Sequence, residues 1–279
     1  MSQGVPMVND GELEQRLGKA CEMARSAGNF AAGKFADLGA LTVESKGVQD
    51  MATEADIETE NLLRRAIAEY YPDDAFLGEE SCDDFRFQPG QGVWVVDPID
   101  GTQPFISNIT SWCIALAYVI DNKTMIGVIY DPVRDEMFAA SRGGGAMLNG
   151  RPLVTSKATT LADGLVGLGY SNRVEPAETL GPMQRLMEAQ GMFHRCGSGA
   201  LSLAYVAAGR LIGYYEPHMN AWDAVAGALL VREAGGRSNP ALERSGVLDK
   251  GCAVLAAAEG IYDALLAAVE GDVAVTGLT

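Results

Sequence analysis

Apolar residues recur at two different periods along this chain, and the alternation between the periods predicts an α/β protein. From about residue 9 to residue 36 they recur every three or four positions, which predicts an amphipathic helix. A second helix is predicted from about Thr53 to Tyr70, where Pro72 ends it. Gly28 and Gly33 weaken the second half of the first helix and allow a break there.

Short apolar runs between turn residues predict the strands. The run Val93–Val96 is wholly apolar and rich in β-branched residues, which predicts a strand buried on both faces. The other predicted elements are, in chain order, strands at 75–77, 112–120, 125–130 and 137–140, a tight hairpin at 143–150, a strand at 165–168, helices at 176–189 and 198–208, a strand at 211–215, a helix at 222–234, a strand at 252–257 and a helix at 262–269.

No repeat, low-complexity tract or linker divides the chain, and its 279 residues fit one large α/β domain. We therefore predict a single domain over residues 9–272. The best division lies near Ser156, between an N-terminal α+β lobe of about residues 9–155 and a C-terminal α/β lobe of about residues 156–272.

Composition and charge narrow the class of protein further. The net charge of −16 argues against nucleic-acid binding, because such binding needs basic patches. No apolar run approaches the ~18 residues of a membrane span, and the first residues lack the pattern of a signal peptide. The five cysteines show no CxxC spacing, so we expect idle thiols in a reducing compartment. These features predict a soluble, cytoplasmic protein with neither a membrane nor a nucleic acid as partner.

Two acids follow the central predicted strand. Asp97 ends that strand, Pro98 prevents further ladder pairing, and Asp100 comes next. Two carboxylates so close repel each other unless a cation or a proton lies between them. Mg²⁺ binds carboxylate oxygens together with the phosphate of a substrate. The N–H groups of Gly101 and Thr102 are free to bind an anion if a helical turn starts there. The motif therefore predicts a magnesium and phosphate site.

Three more acids are candidates for the same site. Glu79 follows a predicted strand and a glycine, an arrangement that by itself also fits a solvated turn. Asp56 and Asp223 each lie in the first turn of a predicted helix, where a carboxylate also stabilises the helix dipole. Only the fold can bring Asp223 close to Asp100.

Other catalytic chemistries have less support in the sequence. The two histidines, His194 and His218, lie in no HxxxH or HExxH pattern, which argues against zinc. The serine at Gly197–Gly199 lacks the outer glycines of a nucleophile elbow. The glycines at 143–150 have neither dinucleotide nor P-loop spacing.

The motif Asp97-Pro98-Ile99-Asp100-Gly101-Thr102 resembles the signature of the inositol monophosphatase family of Mg²⁺-dependent, Li⁺-sensitive phosphatases. The resemblance extends from about residue 10 to residue 272. It implies a layered αβαβα fold of the sugar-phosphatase type, with two sheets flanked by helices. It also implies hydrolysis of a small phosphomonoester by metal-activated water, and a homodimer.

Residue by residue, the resemblance implies two or three Mg²⁺ ions per site. The expected ligands are the side chains of Glu79, Asp97, Asp100 and Asp223 and the carbonyl oxygen of Ile99.

The resemblance also implies the catalytic and substrate-binding residues. Glu79 is expected to orient the attacking water, Thr102 to help deprotonate it through a hydrogen bond to Glu79, and Asp56 to assist a third ion. Lys46 lies in the segment that the family uses as a mobile lid. The expected substrate contacts are Gly101, Thr102, Ser198, Glu216 and Asp223.

Four positions depart from the family pattern, and they affect substrate choice more than catalysis. These are Pro104, Ser107, Gly199 and Asn220. The ranking of substrates is myo-inositol 1-phosphate first, histidinol phosphate second, and a sugar bisphosphate or nucleotide phosphate third. A non-catalytic, regulatory phosphosugar-binding protein is the alternative from a different class. The presence of Glu79 and Thr102 favours the enzyme.

Overall fold

Helices and sheets alternate through five layers, in the order helix, sheet, helix, sheet, helix. The computed structural model describes the backbone of residues 10–38, 43–47, 50–84, 86–271 and 278. The helices in these ranges are α1 (Asp10–Phe35), α2 (Glu54–Tyr70), α3 (Thr102–Ile106), α4 (Ala177–Glu188), α5 (Gly199–Ala207), α6 (Ala221–Glu233), α7 (Val247–Lys250) and α8 (Tyr262–Glu270).

The strands form two main sheets and one separate hairpin. The hairpin pairs β1 (Val43–Gly47) with β2 (Asp50–Thr53). The larger sheet has seven strands in sequential order: β3 (Ala75–Gly78), β4 (Val93–Asp100), β5 (Cys113–Ile120), β6 (Lys123–Asp131), β7 (Glu136–Ser141), β8 (Gly145–Leu148) and β9 (Arg151–Pro152). The smaller sheet has the order β11-β10-β12-β14-β13, formed by β10 (Leu165–Leu168), β11 (Met192–His194), β12 (Gly213–Met219), β13 (Gly236–Ser238) and β14 (Cys252–Ala258).

The central strand β4 shows how the layers are joined. Successive side chains of a strand point to opposite faces of its sheet. Trp94 and Val96 pack into the core beneath α1 and α2, whereas Val93 and Val95 pack into the core shared with α5 and α6. The smaller sheet covers the other side of α5 and α6, and α4 and α8 cover its outer face. The predicted αβαβα layering is therefore confirmed.

Two strands continue through a proline beyond the ends that the sequence predicts. β4 does not end at Asp97, because a register shift between Asp97 and Asp100 accommodates Pro98 and returns the chain to the ladder. The strand predicted at 211–215 covers Gly213–Met219, with a similar shift after Glu216. The prediction that Asp97 ends the strand was wrong, since a bulge can absorb a proline.

Several short elements were missed by the sequence patterns. The polar segment after α1 forms the β1–β2 hairpin, which shows little apolar alternation. β11 and β13 have three residues each, too few for a period to be visible. The chain passes from the larger to the smaller sheet between Pro152 and Leu165. The proposed division of the lobes near Ser156 stays a prediction.

No helix within the described ranges is long and apolar enough to cross a membrane.

The two glycines that appeared to weaken α1 have different surroundings, and the helix runs through both without a break. Gly28 is buried against Tyr130, where a β-carbon would lie 2.5 Å from a ring carbon. The Tyr130 hydroxyl is also held by Asp135 and Arg25. Gly33 is exposed, and a β-carbon there would meet no atom within 4 Å. Gly28 is thus required by packing, whereas Gly33 is not.

This contrast gives a paired prediction for stability. Gly33→Ala should raise the free energy of unfolding by about 0.5–1 kcal/mol, because alanine loses less conformational entropy on folding. Gly28→Ala should lower it by about 1–3 kcal/mol, because the methyl group overpacks the contact with Tyr130. Urea denaturation of both variants measures the difference, and a similar gain in both would contradict the packing of α1 on β6.

Candidate active site

Three acidic side chains from two elements meet at one point between the sheets. Asp97 and Asp100 lie on β4, and Asp223 lies in the first turn of α6. One carboxylate oxygen from each lies within 4.8 Å of those from the other two. The fold thus brings Asp223 to the acids of the central motif.

Burial makes this cluster unfavourable as three separate negative charges. Burial, together with Glu79 and Asp100, raises the pKa of Asp97 well above its usual range. Burial, together with Asp100, raises the pKa of Asp223 to about 7. Both effects disfavour the charged form of a carboxylic acid. A hard cation with oxygen ligands fits this donor set, since it would supply the missing positive charge.

The N-terminus of α5 holds Asp100. Its carboxylate accepts hydrogen bonds from Ala200 N at 2.7 Å and Gly199 N at 3.3 Å, and a short one from the Ser198 hydroxyl. Backbone N–H groups at a helix start stabilise a carboxylate in this way. The Ser198 hydroxyl, predicted to contact substrate, therefore already donates to Asp100.

Local backbone contacts orient the other two acids. Asp97 Oδ1 accepts from Ile99 N at 3.0 Å, within the bulge of β4. Asp223 Oδ2 accepts from Asn220 N at 3.1 Å, as the third residue of a capping box. Asp223 thus also caps the start of α6. Its carboxylate stabilises the helix and is at the same time a member of the acidic cluster.

Strand register places Glu79 beside Asp97. β3 and β4 are parallel, and Gly78 pairs with Val96. The residues that follow this pair, Glu79 and Asp97, therefore lie side by side. The loop after β3 is held by Glu60 of α2, which is 3% exposed. Glu60 accepts from Glu80 N at 2.8 Å and from the Ser81 hydroxyl at 2.5 Å. A side chain at Gly78 would collide with the Glu60 carboxylate.

Glu60 is one residue near the site that the sequence patterns missed. Its only signal was an acid on the helix face that carries Leu63 and Ile67, with Arg64 four residues later. Such a pair resembles an ordinary surface ion pair. Its burial follows from how α2 packs against β3 and β4, which no local pattern reveals.

Thr102 lies beside Asp56. Its hydroxyl lies 3.3 Å from Asp56 Oδ1 and 3.2 Å from the Ile99 carbonyl oxygen, and its predicted hydrogen bond to Glu79 stays a prediction. Asp56 is fully buried and caps α2, where its Oδ2 accepts from Thr53 N at 2.8 Å. Burial raises the pKa of Asp56 to about 6, against the opposing effect of Thr53.

The turn after the central motif requires glycine. Gly101 has a φ of 98°, and a β-carbon there would lie 2.7 Å from the Ser111 carbonyl oxygen. The helical turn predicted after it is present as α3. The side chain of Lys46, the predicted lid residue, lies outside the described residues.

A cavity of about 140 Å³ opens beside the acidic cluster. It is lined by Asp100, Ser198, Arg195, Glu216 and Asp223, among others. Glu216 lies on β12 and accepts a short hydrogen bond from the Tyr214 hydroxyl. Burial raises the pKa of Glu216 to about 8. The structure thus places Glu216 at the cavity, together with Asp100 and Asp223.

The fold and this acidic cleft correspond to a known family. The model of the inositol monophosphatase family matches residues 12–273. The chain therefore belongs to the inositol monophosphatase family, and the predicted family is confirmed. Membership supports a phosphatase as the class of enzyme.

Particular relatives carry two kinds of name. Nus factor SuhB of Escherichia coli K12 is 37% identical over 226 residues, which cover 80% of this chain and 84% of that protein. Inositol-1-monophosphatase of Rhizobium meliloti 1021 is 37% identical over 217 residues, covering 77% and 81%. The crystal structure of extragenic suppressor protein SuhB from Bartonella henselae has a TM-score of 0.86 at 31% identity, covering 93% of this chain and 100% of that one.

The loop contacts of Glu60 give a prediction about metal affinity. Glu60→Gln should raise the Mg²⁺ concentration for half-maximal thermal stabilisation by about tenfold, because an amide holds the loop that carries Glu79 less firmly. Glu58→Gln is the matched control, since Glu58 lies in the same helix and pairs with Lys34 at the surface. Equal Mg²⁺ responses in the two variants would rule out this role for Glu60.

Proposed function

We propose that the protein is a Mg²⁺-dependent phosphatase that hydrolyses a phosphomonoester, with myo-inositol 1-phosphate as the first candidate substrate. The observation that carries the proposal is the buried cluster of Asp97, Asp100 and Asp223 beside an open cavity. A metal ion would neutralise the negative charge of such a cluster. Family membership supports the same reaction.

In this proposal the metal ligands are the side chains of Glu79, Asp97, Asp100 and Asp223 with the Ile99 carbonyl oxygen. When bound, Mg²⁺ neutralises the phosphate oxygens and lowers the pKa of a water molecule. The acids on β4 keep their positions through backbone donors, so that the site is formed before substrate arrives.

Proton transfer in this proposal uses the pair of Thr102 and Asp56. The Thr102 hydroxyl donates to Asp56 and keeps a lone pair for the attacking water. A proton leaving that water passes through the hydroxyl to Asp56 Oδ1, which is buried away from bulk solvent. The N–H groups of Gly101 and Thr102 contact a phosphate oxygen.

Glu216 can bind either of the two leading substrates. Its carboxylate already accepts from Tyr214, and it lines the cavity where the leaving group would lie. Hydroxyls of a neutral polyol can donate to it, which favours inositol phosphate. An amine of histidinol phosphate would form a charge-assisted pair with the same group, so this acid also supports the second candidate.

The relatives named Nus factor SuhB support a regulatory role as the alternative from another class. A regulatory protein has no need of a hydroxyl at Thr102 aligned with the buried Asp56. That contact favours turnover.

The first prediction of the proposal concerns metal dependence. EDTA should abolish phosphate release, and Mg²⁺ should restore it. Mg²⁺ at about a hundredfold its Kd should also stabilise the native state by about 2.7 kcal/mol. Asp97→Asn should lower kcat/KM by several orders of magnitude and remove this stabilisation, because one of the clustered carboxylates is lost.

Asp263→Asn is the control for loss of an acid. Asp263 pairs with Arg237 on the surface of α8, away from the cavity, so both activity and the Mg²⁺ response should stay unchanged. Undiminished phosphate release in chelator would overturn the proposed function.

The second prediction concerns substrate choice. In Glu216→Gln the amide oxygen still accepts from Tyr214, so kcat/KM for inositol 1-phosphate should fall about tenfold or less. For histidinol phosphate, loss of the charge partner should cost nearer to about a hundredfold. Initial rates with both substrates measure this difference. Two results together would place histidinol phosphate first. The unmodified protein would hydrolyse inositol phosphates poorly, and Glu216→Gln would lower kcat/KM strongly for histidinol phosphate alone.

A further inference from the structure

Two consecutive tyrosines on β12, Tyr214 and Tyr215, place their hydroxyl groups in opposite surroundings. Both side chains are buried. Successive side chains of a strand point to opposite faces, so Tyr214 packs into the core shared with α5 and α6, and Tyr215 into the core beneath α4 and α8. The Tyr214 hydroxyl donates a short hydrogen bond to Glu216 Oε2, whereas the Tyr215 hydroxyl has no partner among the described residues. Of the two hydroxyl groups, that of Tyr214 therefore acts on a residue of the cleft.

The Tyr214 phenol is the one donor to the Glu216 carboxylate within the part of the chain that the structure describes. The other acids of the cleft differ in this respect, because backbone N–H groups donate to Asp97, Asp100 and Asp223. Burial and the nearby Glu216 carboxylate raise the pKa of Tyr214 well above its ordinary value, so the phenol keeps the proton that it donates. The direction of the Glu216 carboxylate thus depends on a side chain and not on the backbone.

Two glycines complete the slot that holds this pair. A β-carbon on Gly169, the residue after β10, would overlap with Glu216 Oε2 and would lie 2.6 Å from the Tyr214 hydroxyl oxygen. A β-carbon on Gly199, at the start of α5, would lie 3.4 Å from the same hydroxyl oxygen and 3.6 Å from Glu216 Oε2. The absence of a side chain at Gly169 therefore makes room for the hydrogen bond between Tyr214 and Glu216.

The second carboxylate oxygen of Glu216, Oε1, has different surroundings. No described residue donates a hydrogen bond to it, and it keeps contact with solvent. Glu216 lines the cavity of about 140 Å³ and also an adjoining cavity of about 510 Å³, so a ligand in the cleft would meet this oxygen. The structure thus uses one carboxylate oxygen for the contact with Tyr214 and leaves the other for a ligand.

We propose that Tyr214 is a positioning residue, which holds Glu216 so that a single carboxylate oxygen accepts a hydrogen bond from the leaving group. This rests on the proposed function, because that function places the leaving group beside Glu216. The contact is formed before a ligand binds, so less side-chain freedom of Glu216 is lost on binding. Since the same contact serves the bound substrate and the transition state, Tyr214 should affect KM and not kcat.

The first test compares the two tyrosines. Tyr214→Phe should raise KM for myo-inositol 1-phosphate about tenfold and change kcat less than about twofold, because Glu216 loses the donor that orients it. Tyr215→Phe is the matched control, since it removes a hydroxyl without a partner one residue along the same strand. Its KM should stay within about twofold of the unmodified protein. An unchanged KM in Tyr214→Phe would overturn the proposal.

A double-mutant cycle tests whether Tyr214 acts through Glu216. In the Glu216→Ala background, Tyr214→Phe should change KM less than about twofold, because the acceptor is gone. A tenfold effect that persists without the carboxylate would overturn the proposal, since the phenol would then act on the packing of the cleft.

Gly169→Ala displaces the same oxygen by another route. Its methyl group would occupy the position of Glu216 Oε2, so KM should rise about tenfold while kcat changes little. An unchanged KM in this variant would contradict the held position of the carboxylate.

Direct binding separates failure of this role from failure of the proposed function. Calorimetric titration of myo-inositol 1-phosphate with Mg²⁺ into Thr102→Ala, with and without Tyr214→Phe, reports the contact without turnover. A Kd that is about tenfold weaker with Tyr214→Phe supports the positioning role even if the unmodified protein releases no phosphate. Equal Kd values, or no binding by either protein, would overturn the role, whereas phosphate release by the unmodified protein would leave the proposed function in place.

Discussion

Repulsion among buried carboxylates is the constraint on which this structure depends. Asp97, Asp100 and Asp223 lie within 4.8 Å of one another, and burial raises the pKa of each. Like charges that are buried together disfavour one another's charged form. The cluster is therefore expected to lower the stability of the metal-free protein, while in the proposed function it would supply the metal ligands.

The surrounding backbone holds the acidic side chains close together despite their repulsion. Two strands from different sheets carry the same irregularity, a register shift at a proline, at Pro98 in β4 and Pro217 in β12. Each shift directly adjoins acidic residues beside the cleft, Asp97 and Asp100 in β4 and Glu216 in β12. The layer of α5 and α6 between the sheets then contributes helix starts, which hold Asp100 and carry Asp223. Two irregular strands and two helix starts thus define one site.

The sequence predicted the layers and the acids better than it predicted their contacts. The apolar run of β4 and the periodic stripe of α2 are local signals, so the elements that carry Asp97, Asp100 and Asp56 were found. The pairing of Thr102 with Asp56 and the support of Glu79 by Glu60 depend on how α2 lies across β3 and β4. Such contacts join residues that are far apart in the chain, and no spacing rule encodes them. The bulge at Pro98 was missed because a proline after a strand usually means that the strand ends.

Two of the departures from the family pattern, Pro104 and Gly199, fit their immediate neighbours beside the cavity. Pro104 packs where a β-carbon on Gly197 would come within 2.8 Å of its ring, and Gly197 has a φ of 90°. An alanine at Gly199 would place its methyl group 2.6 Å from Met219 Cε, so this glycine and this methionine fit each other. These side-chain contacts adjoin the cavity, whereas the backbone N–H groups of Gly199 and Asn220 donate to Asp100 and Asp223. In the proposed function, the acids would hold the metal and the loops on the other side of the cleft would contact the leaving group. A substitution at Gly199 or Asn220 keeps the backbone donor, so side chains at these positions can change which phosphate ester binds while the acids stay in place.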